Sequence, residues 1–191
     1  GMLEELGEYF IEFKKSGKPI YSYGEYYTQK GAYLAALSDT AILHPGGIMD
    51  IRGIGISSTY YKDFFDKFGI EPLVVRGTGN DFKSAVEPYI ASEMSKENRL
   101  QLSNLTSQFW EFIGDAFENE KNISRATLDS CANNWVGMDA DKAMDIGLVE
   151  QLGYREDVFE KLEDRYELVN WKDYASTLSK GSSRDRIAVI Y

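Results

Sequence analysis

The sequence predicts an α/β fold with parallel strands, and three observations carry that prediction. Apolar residues alternate between helical and extended spacing over residues 3–76, in the order helix–strand–helix–strand–helix–strand. The extended stretches are short and bounded by Gly and Pro. From Ser95 onward the spacing becomes mainly helical, with no tandem repeat or low-complexity segment.

Each element has a local reason. Leu3, Leu6, Phe10 and Phe13 share one face of a helix over residues 3–16, and Gly17 stops it. Lys18 to Tyr23 reads as a strand, Gly31 to Leu37 as a short apolar helix, and Thr40 to Leu43 as a second strand. His44-Pro45-Gly46-Gly47 reads as the turn that closes that strand. Tyr60, Phe64, Phe65 and Phe68 mark a helix ending at Gly69, followed by a Val-rich strand from Pro72 to Arg76. Ser95 caps a long helix whose apolar face carries Leu105, Phe109, Phe112, Ile113 and Ala116. Ser124 and Asp139 cap two shorter helices. Gly147-Leu148-Val149 is an extended step, and Val158, Leu162 and Tyr166 form a last helix. The expected organisation is a single α/β domain over residues 1–180. Lys180 to Asp185 reads as a polar linker, and Ile187-Ala188-Val189-Ile190-Tyr191 has the composition of a buried strand.

Composition narrows the function classes. The 191 residues are 43% hydrophobic and 27% charged, with a net charge of −10 and no basic run, so nucleic acid is not an expected partner. No stretch approaches 18 consecutive apolar residues, the length a spanning helix needs. One His and one Cys exclude the usual zinc ligand sets, and Asp39, Asp50 and Glu87 match no metal loop. No cofactor is expected: Gly53-Ile54-Gly55 and Gly77-Thr78-Gly79 complete neither a dinucleotide fingerprint nor a phosphate loop, and read as turn glycines.

Lys83-Ser84-Ala85-Val86-Glu87-Pro88, followed by Glu93-Met94-Ser95, resembles signal peptide peptidase A in its long, duplicated form. Supporting segments are Gly17 to Tyr23, Tyr33-Leu34-Ala35, Tyr60 to Asp63, and Ala140 to Ala143 with Gly147-Leu148-Val149. The resemblance runs in consistent order from about residue 3 to 165. It implies the Clp protease/crotonase fold of repeated strand–strand–helix units. It also implies a Ser/Lys-dyad serine protease in which an amino-terminal domain supplies the lysine and a carboxy-terminal domain the serine. The chain then corresponds to the lysine-bearing half, with Lys83 as general base and residues 181–191 as the linker and first strand of the serine-bearing domain. Implied partners are peptide substrates, the serine-bearing domain and further copies in a ring. The implied location is the bacterial cell membrane, facing the periplasm or the outside, with attachment through a region beyond this chain.

The chemistry sets a condition on the lysine. A serine hydroxyl needs a base to take its proton, and a lysine serves only when neutral, although its unperturbed pKa is about 10.4. Burial or a neighbouring cation must lower that value. Phe82, Ala85 and Val86 give Lys83 an apolar sequence context compatible with desolvation. Gln29, before Lys30-Gly31-Ala32-Tyr33, stands where the family's catalytic half places serine. A carboxamide forms no acyl-enzyme, so this repeat is expected to be inactive by itself.

Plainer readings stand beside these. Ser84 reads as a local hydrogen-bonding residue, His44 as a turn residue and Cys131 as a small buried residue. Tyr21, Tyr23, Tyr26, Tyr27 and Tyr33 either line a half-buried surface or help form an interface. Two further functions stay open: a non-catalytic assembly domain of a protease ring, and a crotonase-like acyl-CoA enzyme on the same scaffold.

Overall fold

The computed structural model describes residues 1–75, 77, 79 and 81–178. The expected linker and closing strand, residues 180–191, lie outside the described residues, as do Arg76 at the end of the expected Val-rich strand and Thr78 of the second glycine pair. The chain divides into two compact units, the first Gly1–Gly153 and the second from Tyr154 onward.

The first unit is built on three parallel strands in the order β1 (Tyr21–Tyr27), β2 (Thr40–Met49) and β3 (Gln151–Leu152). Helix α2 (Gln29–Leu37) makes the crossover from β1 to β2, as a parallel pair requires. This mixed α/β arrangement around a parallel sheet agrees with the Clp protease/crotonase-type fold expected from the resemblance.

Helix α1 (Met2–Lys14) forms where the spacing predicts, but a narrower face packs. Leu3 and Phe10 reach the core, while Leu6 and Phe13 remain exposed. Gly7 explains the difference: a Cβ there would lie 2.1 Å from the Tyr33 hydroxyl, so α1 approaches α2 over its smallest residue. Gly17, at φ +74°, follows the helix.

Both strands of the first pair depart from the expected boundaries. β1 begins at Tyr21 because Ile20 is already engaged: its N–H donates to the Asp39 carboxylate at 2.7 Å, and its carbonyl accepts from the N–H groups of Asp39 and Thr40. β1 then continues through Tyr27. β2 does not end at Leu43. Its pairing runs from Gly24↔Leu43 directly to Tyr26↔Ile48, so His44 to Gly47 bulge out opposite Glu25. Gly47 makes this possible, since a Cβ there would lie 2.6 Å from the Glu25 carbonyl oxygen. The His44 Nδ1 accepts the Gly46 N–H at 3.0 Å, so His44 does act locally, within a bulge rather than a chain-reversing turn.

The core lies between the sheet and the helices. Ala35, Ala36, Leu43, Met49, Phe117, Leu128, Leu148 and Val149 are all buried in it. Helix α3 (Lys62–Phe68) ends at Gly69, at φ +66°, as the sequence indicates. No strand follows among the described residues: 72–75 are irregular, and Leu73 and Val75 are 94% and 91% exposed. A Val-rich run gains nothing from extension without a neighbour to pair and pack against. Helix α4 (Glu87–Ile90) is one turn, and α5 (Lys96–Lys121) begins at Ser95, whose hydroxyl accepts the Asn98 N–H. Ile113, Ala116 and Phe117 bury the carboxy-terminal part of α5, whereas Leu105 and Phe109 are exposed.

Ser124 and Asp139 cap α6 (Arg125–Asn133) and α7 (Ala140–Ile146) through side-chain acceptance of the Thr127 and Lys142 N–H groups. A 3-10 turn, Val136–Met138, joins them after Trp135, which adopts φ +55°. The step expected at Gly147–Val149 falls later. Gly147 closes α7 at φ +87°, Leu148 and Val149 are buried, and β3 pairs two residues further on.

In the second unit, α8 (Arg155–Glu163) carries Val158 and Leu162 as expected but stops before Tyr166. Helix α9 (Trp171–Thr177) follows.

Candidate active site

Lys83 sits in the loop between α3 and α4, four residues before Glu87. The turn Ser84–Glu87 is closed by the Glu87 N–H donating to the Ser84 carbonyl at 3.0 Å. Pro88 supplies the first turn of α4, where it loses no hydrogen bond. Its carbonyl accepts the Tyr61 N–H at 2.7 Å, tying α4 to the start of α3. The rings of Tyr61, Phe65 and Tyr89 stack across the same junction, with centroids 6.1–6.4 Å apart. Ser92 adds a hydrogen bond to Asp63 at 2.6 Å.

Glu87 ties this platform to the long helix. It is 6% exposed, and its carboxylate accepts from the Ser95 hydroxyl, from the Ser95 N–H at 3.4 Å and from the Asn98 side-chain amide at 2.9 Å. Its negative charge also lies at the amino terminus of α5, the favourable end of the helix dipole. The Lys83 side chain is exposed, and Phe82 is 53% exposed. The apolar sequence context around Lys83 therefore does not enclose it within this chain.

Gln29 lies at a different place, the first turn of α2 just beyond β1. Thr28 caps the helix by accepting the Gly31 N–H at 3.1 Å. The Gln29 side-chain oxygen accepts the Arg52 backbone N–H at 3.2 Å, bridging the α2 start to the segment that leaves β2. Asp50 stands at the same strand end, with its N–H donating to the Tyr27 carbonyl at 2.7 Å. The Tyr26 hydroxyl and the Arg52 guanidinium both donate to Asp50 Oδ2. Asp50 Oδ1 lies against Arg52 Nε as an ion pair, outside good hydrogen-bond geometry. The Arg52 guanidinium holds the Asp50 carboxyl below its usual range, against the opposing effect of burial. It also lies over the Trp135 ring, 5.8 Å from the centroid.

A cavity of about 740 Å³ opens beside Gln29 and Lys30, walled by Ile54, Leu105, Phe109 and Phe112. A neighbour of about 480 Å³ lies between Arg52–Gly55 and Trp110. Gly53-Ile54-Gly55 thus lines concave surface along α5 as well as supplying a turn glycine at Gly53, φ +79°. Lys83 lines neither cavity.

The remaining candidates fall in structural places. Cys131 is buried, and burial pushes its thiol up. Asp39 accepts the Ile20 N–H and lies 3.6 Å from Lys14 Nζ. Tyr27 and Tyr33 are core residues: Tyr27 donates to the Ile42 carbonyl at 3.0 Å, and Tyr33 stacks on Phe112 at 4.5 Å. Burial raises the Tyr27 hydroxyl to about 12. Tyr21 and Tyr26 are exposed. No cluster of three or more His, Cys, Asp or Glu fit to hold a metal occurs among the described residues, and no described helix is long and apolar enough to cross a membrane. Sequence reasoning missed the Arg52 pairing with Asp50 and the Glu87 clamp; the Asp-x-Arg spacing and the Ser95-x-x-Asn98 start of α5 were their local traces.

Comparison with known proteins gives these places a context. Residues 12–169 match the model of Peptidase family S49. The chain is 32% identical to Protease 4 of Salmonella typhi, over 97% of this chain and 32% of that protein. It is 29% identical to Protease 4 of Haemophilus influenzae, over 84% of this chain and 26% of that protein. It is 27% identical to the chloroplastic serine protease SPPA of Arabidopsis thaliana, over all of this chain and 29% of that protein. The chain spans about a third of the length of these curated relatives. With most of its residues matched by that model, and with the sheet and the Lys83–Pro88 motif described above, the chain belongs to peptidase family S49.

Proposed function

We propose that Lys83 is the general base of a Ser/Lys-dyad endopeptidase that degrades cleaved signal peptides or other short peptides, and that this chain is its lysine-bearing part. The observation that carries the reading is the Lys83–Pro88 motif, present in a serine-protease family and fixed to α5 through Glu87. A serine from another domain attacks the peptide carbonyl and its proton passes to the neutral Lys83 amine. Backbone N–H groups stabilise the oxyanion. Lys83 then returns the proton to the leaving amine, and water releases the acyl group by the same base. The exposure of Lys83 in this chain fits a base whose desolvation is completed by the serine-bearing domain.

By itself the chain hydrolyses nothing on this reading, because Gln29 offers no nucleophile. The second reading, a non-catalytic assembly domain, draws on the same residue: the Gln29 carboxamide serves as a structural bridge to Arg52. The protease reading places the whole protein in a homo-oligomeric ring at a bacterial membrane, with its active face toward the periplasm or the outside. The test is peptide hydrolysis by the longer protease, native against Lys83→Ala. Loss of turnover with an intact assembly supports the dyad. Near-native turnover leaves the domain as a scaffold.

A further inference from the structure

We propose that Glu87 is the positioning residue for Lys83, fixing the lysine loop to the start of α5. This rests on the general-base reading and adds the device that holds the base in place. Three features argue for it. The Glu87 carboxylate is buried and accepts from the hydroxyl and N–H of Ser95 and from the amide of Asn98, all on the first turn of α5 or its cap. Glu87 also closes the turn that begins at Ser84, the residue next to Lys83, so the clamp and the lysine are joined by one tight turn. Finally, Pro88 and the Tyr61–Phe65–Tyr89 stack fix the other side of α4, so the Glu87 clamp acts on a loop whose floor is already held.

The clamp is held by acceptors. Glu87 Oε2 accepts from the Ser95 N–H and the Asn98 amide, and Oε1 accepts from the Ser95 hydroxyl, a group that can itself accept. Glu87→Ala leaves these donors without their acceptor, and a base displaced by about 1 Å loses about 100-fold in rate. Glu87→Gln changes no volume and, with its NH2 turned to the Ser95 hydroxyl, keeps the clamp.

The experiment measures steady-state peptide hydrolysis by the full-length protease carrying Glu87→Ala, Glu87→Gln or Asn98→Ala. The expected result for Glu87→Ala is a kcat about 10- to 100-fold lower with KM within about twofold. Asn98→Ala gives a smaller loss of the same kind, and Glu87→Gln keeps most of kcat. If Glu87→Ala does not fold, Asn98→Ala alone decides. Native kcat in Glu87→Ala and Asn98→Ala overturns the proposal, as does a loss confined to thermal stability or KM, or a Glu87→Gln variant no better than Glu87→Ala. Lys83→Ala separates the two readings: if it is inactive while the Glu87 and Asn98 variants are native, only the positioning role fails. If it is active, the base assignment fails and this role with it.

Discussion

Gly137 lies in the 3-10 turn after Trp135, and an ideal Cβ there would sit 1.9 Å from the Met49 carbonyl oxygen. Such a contact has to open by about 1.1 Å before it is tolerable. Neither side gives easily, because the obstacle is backbone at the end of the central strand and Met49 is fully buried. Overpacking of this kind costs about 1–3 kcal/mol, and a backbone obstacle puts Gly137→Ala at the upper end. For a chain of this size, about 3 kcal/mol lowers Tm by about 6–12 °C. Gly114→Ala is the control. Its Cβ would overlap the Arg125 guanidinium at 1.7 Å, the far end of a flexible side chain. Arg125 would shift away from the Trp110 and Glu111 carbonyls, at about 1 kcal/mol for each hydrogen bond it does not remake. The helix gains up to about 1 kcal/mol in exchange for its glycine, which offsets part of that loss and leaves the net cost below that of Gly137→Ala. Urea and thermal unfolding of both variants test the comparison. Equal stability of Gly137→Ala and the native chain, or a larger loss for Gly114→Ala, would refute the reasoning from backbone contact.

Three further outcomes are expected. Gln29→Ala in the full-length protease leaves peptide turnover native and costs about 1 kcal/mol or less, since it removes one hydrogen bond beside solvent; loss of turnover would show that Gln29 takes part in chemistry. Arg52→Gln lowers the urea midpoint at neutral pH, because Arg52 depresses the Asp50 carboxyl. A depressed carboxyl contributes stability above its unfolded pKa, near 3.9, and loses it as pH falls through the lower folded value. The two midpoints should therefore converge below that range, and a gap unchanged in acid would refute the pairing. Cys131 should resist a thiol reagent at mildly alkaline pH in the folded chain and react at once in urea, as burial and a raised thiol pKa require; rapid labelling of the native chain would contradict its burial.

How far the sequence disclosed this depends on whether the cause is local. The starts at Ser95, Ser124 and Asp139 and the stop at Gly69 are chemical signals within a few residues, so these helix ends were legible, whereas the cap at Thr28 and the stop at Gly147 passed unread. Strands depend on partners. Pro72–Val75 has strand composition but no strand, and His44–Gly47 has turn composition but lies within the bounds of β2, because pairing with β1 resumes beyond it. The candidate site divides in the same way. The Lys83–Pro88 motif is contiguous and visible in the sequence. The contacts of Glu87 are not, because Ser95 and Asn98 meet it from another helix, and the Gln29–Arg52 bridge exists only once β1 and β2 lie side by side.

Helix α5 runs from the Glu87 clamp at Ser95 and Asn98 to the core at Ile113 and Phe117, and its 26 residues span about 39 Å. It therefore acts as a ruler between the sheet and the lysine loop. Adding one residue to its exposed middle would advance one end by about 1.5 Å and turn it by about 100° relative to the other. The clamp and the core could not then both be met. A change of seven residues nearly restores the phase, leaving about 20°, but moves the loop by about 10 Å. Substitutions should pass freely along the solvent side of α5, while its length admits almost no variation.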